Sequence, residues 1–221
     1  GGTLSVGAMK TNGGDITLAG TDFNLSGALN AGIGTLTILG GSGETIGLDG
    51  TTASTTASTV STICNGSACG LTLVQSELSA ISAAKLVIGD SSSGNIYIDG
   101  VTLSHISGGV TLNSSGSSGS VEFGTGGATI KLATINAGNG ITINGDVSVA
   151  QSAIFNADYD ANGTGQFIIA SGNAITSTDN QSISITANDI DIYSLGTISS
   201  GTGSTTIAVS DSGTIGLGTS G

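Results

Sequence analysis

Asp158, Asp160 and Asn162 lie in the stretch Asp158-Tyr-Asp-Ala-Asn-Gly-Thr-Gly-Gln-Phe167, where alternate residues carry side-chain oxygens ahead of a glycine. That spacing matches positions one, three and five of a calcium loop, with Gly163 at the turn and Gln166 at position nine. Position twelve, where a bidentate Glu should close the shell, is Ile169. The residues therefore allow weakly bound calcium at Asp158, Asp160 and Asn162, but an acidic corner between two strands is the preferred reading. No other cofactor is expected.

Cys64 and Cys69 are the second chemical pair. They close a very small loop around Gly66, so they read either as a disulfide made in an oxidising compartment or as two free thiols. C-x4-C alone is too little for a structural zinc site. Catalytic constellations are poorly represented. His105 is the single histidine, no Ser or Asp near it in sequence suggests a triad, and the chain has no Arg to hold an anionic sugar. A pair such as Asp158 and Asp160 could in principle hydrolyse a glycoside, yet the expectation is a non-enzyme.

Whatever positions these groups must be built from an unusual composition. The 221 residues include 39 Gly and no Pro or Trp, and 8% are charged against roughly 25% in ordinary domains. With 37% hydrophobic but only 3% aromatic residues, the core must consist of Ile, Leu, Val and Ala. The net charge of -12 leaves no basic patch around Lys10, Lys85 and Lys131, which argues against nucleic acid as a partner. No apolar run reaches the ~18 residues of a membrane helix, so no membrane span is expected. The start at Gly1-Gly-Thr-Leu-Ser, without Met or a signal peptide, suggests a segment of something longer.

Alternating apolar-x-apolar triplets recur from end to end. Examples are Ile16-Thr-Leu18, Leu36-Thr-Ile38, Ile96-Tyr-Ile98, Val121-Glu-Phe123, Ile130-Lys-Leu132, Ile141-Thr-Ile143 and Ile183-Ser-Ile185. Each predicts a short strand with one buried face. Helical periodicity is confined to one turn within residues 76–85. Residues 15–50 also resemble residues 182–221: Ile16 maps to Ile183, Asp22 to Asp189, Gly32 to Gly201 and Leu48 to Leu217. Residues 1–221 thus read as one segment of a larger array with a macro-repeat of about 169 residues, enclosing short β repeats of roughly 20–24 residues. Residues 51–70, the Thr/Ser-rich stretch with the cysteine pair, read as a loop extruded from it.

Nested repeats of short strands predict an all-β fold, a parallel β-helix (β-solenoid) of about ten coils and roughly 45–50 Å. Pro, which would remove a ladder hydrogen bond from a strand paired on both sides, is absent as this requires. An immunoglobulin-like sandwich array is the rival, and it would call for longer strands with Pro, Trp or Tyr.

The stretches from Leu71 to Leu103, from Asn156 to Ile175 and from Ser182 to Gly218 resemble the repeats of large filamentous-haemagglutinin-like adhesins of bacteria. That resemblance implies a right-handed β-helix shaft, secreted to the extracellular space or bacterial cell surface. The partners it implies are neighbouring coils of the same giant chain, or identical subunits stacked end to end, and host or surface glycans and proteins. Three roles stand as expectations: a structural shaft of a fibre or adhesin, a subunit of a self-assembling filament, and a glycan- or ice-binding solenoid. A flat ice-binding face would need Thr-x-Thr in register on successive coils, and Thr is scattered along the sequence.

Overall fold

The computed structural model describes residues 3–50, 64 and 69–211. Most of the predicted 51–70 loop, and Ile215-Gly-Leu217 of the second repeat copy, lie outside the described residues. The first strands are β1 (Leu4–Val6), β2 (Met9–Lys10), β3 (Ile16–Ala19), β4 (Phe23–Leu25), β5 (Leu29–Asn30), β6 (Thr35–Leu39) and β7 (Ile46–Asp49). After the cysteine pair come β8 (Leu71–Val74), a short helix α1 (Gln75–Ser79), β9 (Ile81–Ser82) and β10 (Lys85–Ile88).

From there the chain cycles in threes. One set is β11 (Ile96–Asp99), β12 (Val101–Leu103) and β13 (Val110–Ser114), and the next is β14 (Val121–Phe123), β15 (Ala128–Ile130) and β16 (Ala133–Ala137). Then follow β17 (Ile141–Ile143), β18 (Val147–Val149) and β19 (Ala153–Asn156), and after them β20 (Gln166–Ile169), β21 (Ala174–Ser177) and β22 (Ile183–Ala187). The last described circuit is β23 (Asp189–Ile192), β24 (Thr197–Ser199) and β25 (Thr205–Val209).

All pairing is parallel and in register, which defines a β-solenoid. The longest sheet stacks eight strands in the order β3-β6-β10-β13-β16-β19-β22-β25. A seven-stranded sheet runs β8-β7-β11-β14-β17-β20-β23, and a five-stranded one runs β12-β15-β18-β21-β24. The stack therefore has about eight turns. Circuits such as Leu86 to Val110, Val110 to Ala133 and Ala133 to Ala153 have the short length expected from the sequence. Two do not: Leu36 to Leu86, which contains the cysteine segment, and Ala153 to Ile183, which contains the Asp158 loop. About eight turns among the described residues compare with the ten expected from the sequence.

Alternation along each strand puts every second column of side chains inside. In the seven-stranded sheet one such column is Leu73, Leu48, Ile98, Phe123, Ile143 and Ile169, all with 0% exposure. Stacking at ~4.8 Å sets each aliphatic group against its neighbours above and below. Where the inward residues of the longest sheet shrink to Ala153 and Ala157, Phe155 fills the space and meets Phe167 edge-on at 5.6 Å. Corners must be equally tight. A Cβ on Gly138 would strike the carbonyl oxygen of Gly116 on the preceding turn.

The sequence misplaced two elements. The strand near Lys131 is Ala128-Thr-Ile130, with Lys131 and Leu132 turning the corner, because the inward partner of Ile130 is a small Ala. The helical turn ends at Ser79, and Ile81–Ser82 returns to a strand that pairs with β5. No helix among the described residues is long and apolar enough to cross a membrane.

The packing predicts a sharp contrast within β16. Ile135→Ala, at a position with 0% exposure, should cost about 2–5 kcal/mol. Thr134→Ala, on the outer face, should change stability by no more than about 0.5 kcal/mol. Urea denaturation of both variants measures the difference, and equal losses would contradict the inside–outside assignment.

Candidate functional site

Residues 158–165 leave the stack as a loop between β19 and β20. Asp158 does not face solvent; it is 1% exposed. Its Oδ1 accepts the backbone N–H of Asn162 at 3.1 Å and its Oδ2 that of Gly163 at 3.2 Å. The hydroxyl of Ser210, from the segment following β25, also donates to Oδ2. Asn162 is similarly committed, since its carbonyl oxygen accepts both the backbone N–H and the hydroxyl of Thr164, while its amide donates to Asp160 Oδ2 at 2.8 Å. Ala161 at φ 52° and Gly163 at φ 82° provide the left-handed backbone of the turn.

The donors converging on Asp158 suit an anion, and a cation would have to displace them. The three residues chosen from sequence are thus brought together around a hydrogen-bonded turn. Asn188 and Asp211 approach Gly163 from later turns. Sequence reasoning missed these two and Ser210, because contacts across such separations leave no local pattern. Among the described residues, no group of three or more His, Cys, Asp or Glu is placed to hold a metal.

In the structure the sulfurs of Cys64 and Cys69 are bonded to each other. His105 is exposed on the turn after β12. Asp189 and Asp191 sit on β23, where Asp189 Oδ2 accepts the Gln166 side-chain amide at 3.1 Å. A shallow polar cleft of about 400 Å³ runs over three successive corners, lined by residues such as Ser42, Ser92 and Ser117. Beside it, the Ser92 hydroxyl donates to Asp90 and, with neighbouring donors, holds that carboxyl below the usual carboxylate range despite partial burial.

Parallel register reveals columns that the linear sequence hides. On the outer face of the five-stranded sheet Thr102, Thr129, Ser148, Thr176 and Ser199 stack without interruption. On the longest sheet the matching column is Thr17, Thr37, Val87, Thr111, Thr134, Ile154, Ser184 and Thr206. Thr thus recurs in register with Ser, Val and Ile in single columns, and not as Thr-x-Thr on successive turns. Turns of unequal length put aligned residues at irregular sequence spacing.

Fold and surface together define a parallel β-solenoid protein whose outer faces carry hydroxyl columns and a largely exposed loop anchored by the buried Asp158. No protein-family model matches the chain, and no curated protein or solved structure does either.

Asp158→Ala should destabilise the protein by about 1–3 kcal/mol, because it strands buried donors. Millimolar calcium should leave the wild-type melting temperature unchanged. A rise of several degrees on adding calcium, absent in Asp158→Ala, would restore the metal reading.

Proposed function

We propose that this chain is a non-catalytic structural shaft segment of an extracellular bacterial fibre or filamentous adhesin. One observation carries the reading: an apolar column with 0% exposure runs through successive turns whose backbones are paired in parallel register. Such a stack resists bending and proteolysis because the strands within its long sheets are hydrogen-bonded on both sides. The bonded cysteines agree with an oxidising location outside the cytosol. The surface or secreted location and the fibre context rest on the repeat style of the sequence. The partners are further coils of a longer chain, or identical subunits meeting end to end.

A second reading is favoured by a specific observation. The unbroken column Thr102, Thr129, Ser148, Thr176 and Ser199 offers evenly spaced hydroxyls on one face. It suits binding of an ordered hydroxyl lattice such as ice or a neutral glycan.

Fibre diffraction from native material separates these ideas. A meridional reflection near ~4.8 Å is expected for shafts built from these turns, and its absence from isolated fibres contradicts the shaft role. Ice-recrystallisation assays on the purified chain should show no inhibition under the first reading. Inhibition that is lost in Thr129→Lys would favour the second.

A further inference from the structure

The last described rung, β23 to β25, repeats an earlier one. Residues 182–221 resemble residues 15–50 in sequence, and the chain turns the same corner in both. Gly32 and Gly201 each have φ 59°. Just beyond them the Gly34 N–H donates to the Ala31 carbonyl at 2.9 Å, as the Gly203 N–H does to that of Ser200 at 2.9 Å. Thus β23, β24 and β25 are the counterparts of β4, β5 and β6.

The two rungs differ in what covers them. β10 pairs on β6, and β8 steps back across β7 to lie against β4. Leu25 and Ile38 are accordingly buried. No described strand pairs on the far side of β23, β24 or β25, and the counterpart residues Ile192 and Ile207 are 43% and 40% exposed. Backbone groups are open there too. Tyr193 donates its N–H to Ile169 on the rung below, so by alternation the Ile192 N–H points to the open edge. At the opposite end of the stack the inward residues Leu4 and Met9 are exposed on β1 and β2.

We propose that the last rung is a docking edge for the first rung of a second copy, with β1 seating on β23, β2 on β24 and β3 on β25. This inference rests on the shaft reading above and names the joint between subunits. Continuing the observed register sets Leu4 and Val6 on Ile190 and Ile192, Met9 on Ile198, and the apolar face of β3 on that of β25. Each inward column gains one more apolar residue, and the open N–H and C=O groups of both edges find partners.

Charge selects the direction. Strands β23 to β25 carry Asp189 and Asp191 and no basic residue. Strands β1 to β3 carry Lys10 and no acidic one. Asp15, in the corner before β3, accepts the Thr35 N–H at 2.7 Å. Two last rungs face to face would set Asp189 and Asp191 against their own copies, so like ends repel and unlike ends attract. A head-to-tail contact also keeps the pairing parallel. It does not close on itself, so copies add along the axis as an open filament.

Sedimentation velocity on the full chain should show dimers, trimers and longer species whose share rises with concentration. Ile192→Asp at one end and Leu4→Asp at the other should each weaken self-association at least about tenfold. Mixed in equal amounts, the two variants should give a heterodimer and nothing longer, because each keeps one intact end. A wild-type chain that stays monomeric at every concentration, variants that assemble undiminished, or a mixture without the heterodimer overturns the proposal. If a variant does not fold, amide exchange at Ile192 in the wild type decides. Its protection rises at least about tenfold from dilute to concentrated samples if the ends meet, and constant protection overturns the joint. A monomeric result leaves the shaft reading standing for one long chain, which the meridional reflection tests separately.

Discussion

Parallel, in-register hydrogen bonding between successive turns is the constraint on which the rest of this structure depends. Once Ile98 is paired with Leu48 below and Phe123 above, the inward or outward position of every neighbouring residue follows from the two-residue period of a strand. Aliphatic groups must then form an unbroken interior column, and corners must accept backbones that nearly touch, as at Gly138 over Gly116. The shortage of aromatics has the same origin. A rung about 4.8 Å thick has room for Ile, Leu or Val at most inward positions, and Phe appears where neighbouring inward positions shrink to Ala, as around Phe155.

Where the ladder cannot continue, side chains take over the work of strand backbones. Gln75 supplies both a donor and an acceptor to the backbone of Thr102, receiving its N–H at 2.8 Å and donating to its carbonyl at 3.0 Å. This covers the open edge of β12, the first strand of the five-stranded sheet. Glu77, two residues further on, accepts the backbone N–H groups of Leu25 and Val74. The small helix is thus a plug whose amide and carboxylate satisfy two sheet edges that would otherwise be left unpaired. Asp158 plays a comparable part at the far end, where it ties the loop before β20 to Ser210.

The fold was legible in the sequence because alternation is a local signal. Triplets such as Ile16-Thr-Leu18 and Val121-Glu-Phe123 fall on strands with their apolar residues buried. Strands with Ala at inward positions, such as Ala133–Ala137 and Ala153–Asn156, escaped notice, since Ala carries little hydrophobic contrast. The backward step of β8 was invisible, because alternation tells which way a side chain points and not which rung its strand will join. The candidate site was half legible. The Asp158 loop could be found from its spacing, but its partners Ser210, Asn188 and Asp211 arrive from turns of unequal length. The hydroxyl columns stayed hidden for the same reason.

Contacts between methyl and aromatic groups in the selectively labelled chain test the stacking order most directly. Neighbouring rungs lie at ~4.8 Å and next-nearest rungs at about twice that, so cross-relaxation separates them cleanly. The account predicts a single chain of contacts running Leu73, Leu48, Ile98, Phe123, Ile143 and Ile169. A contact between Leu73 and Ile98, or cross-strand patterns of antiparallel pairing, would contradict it.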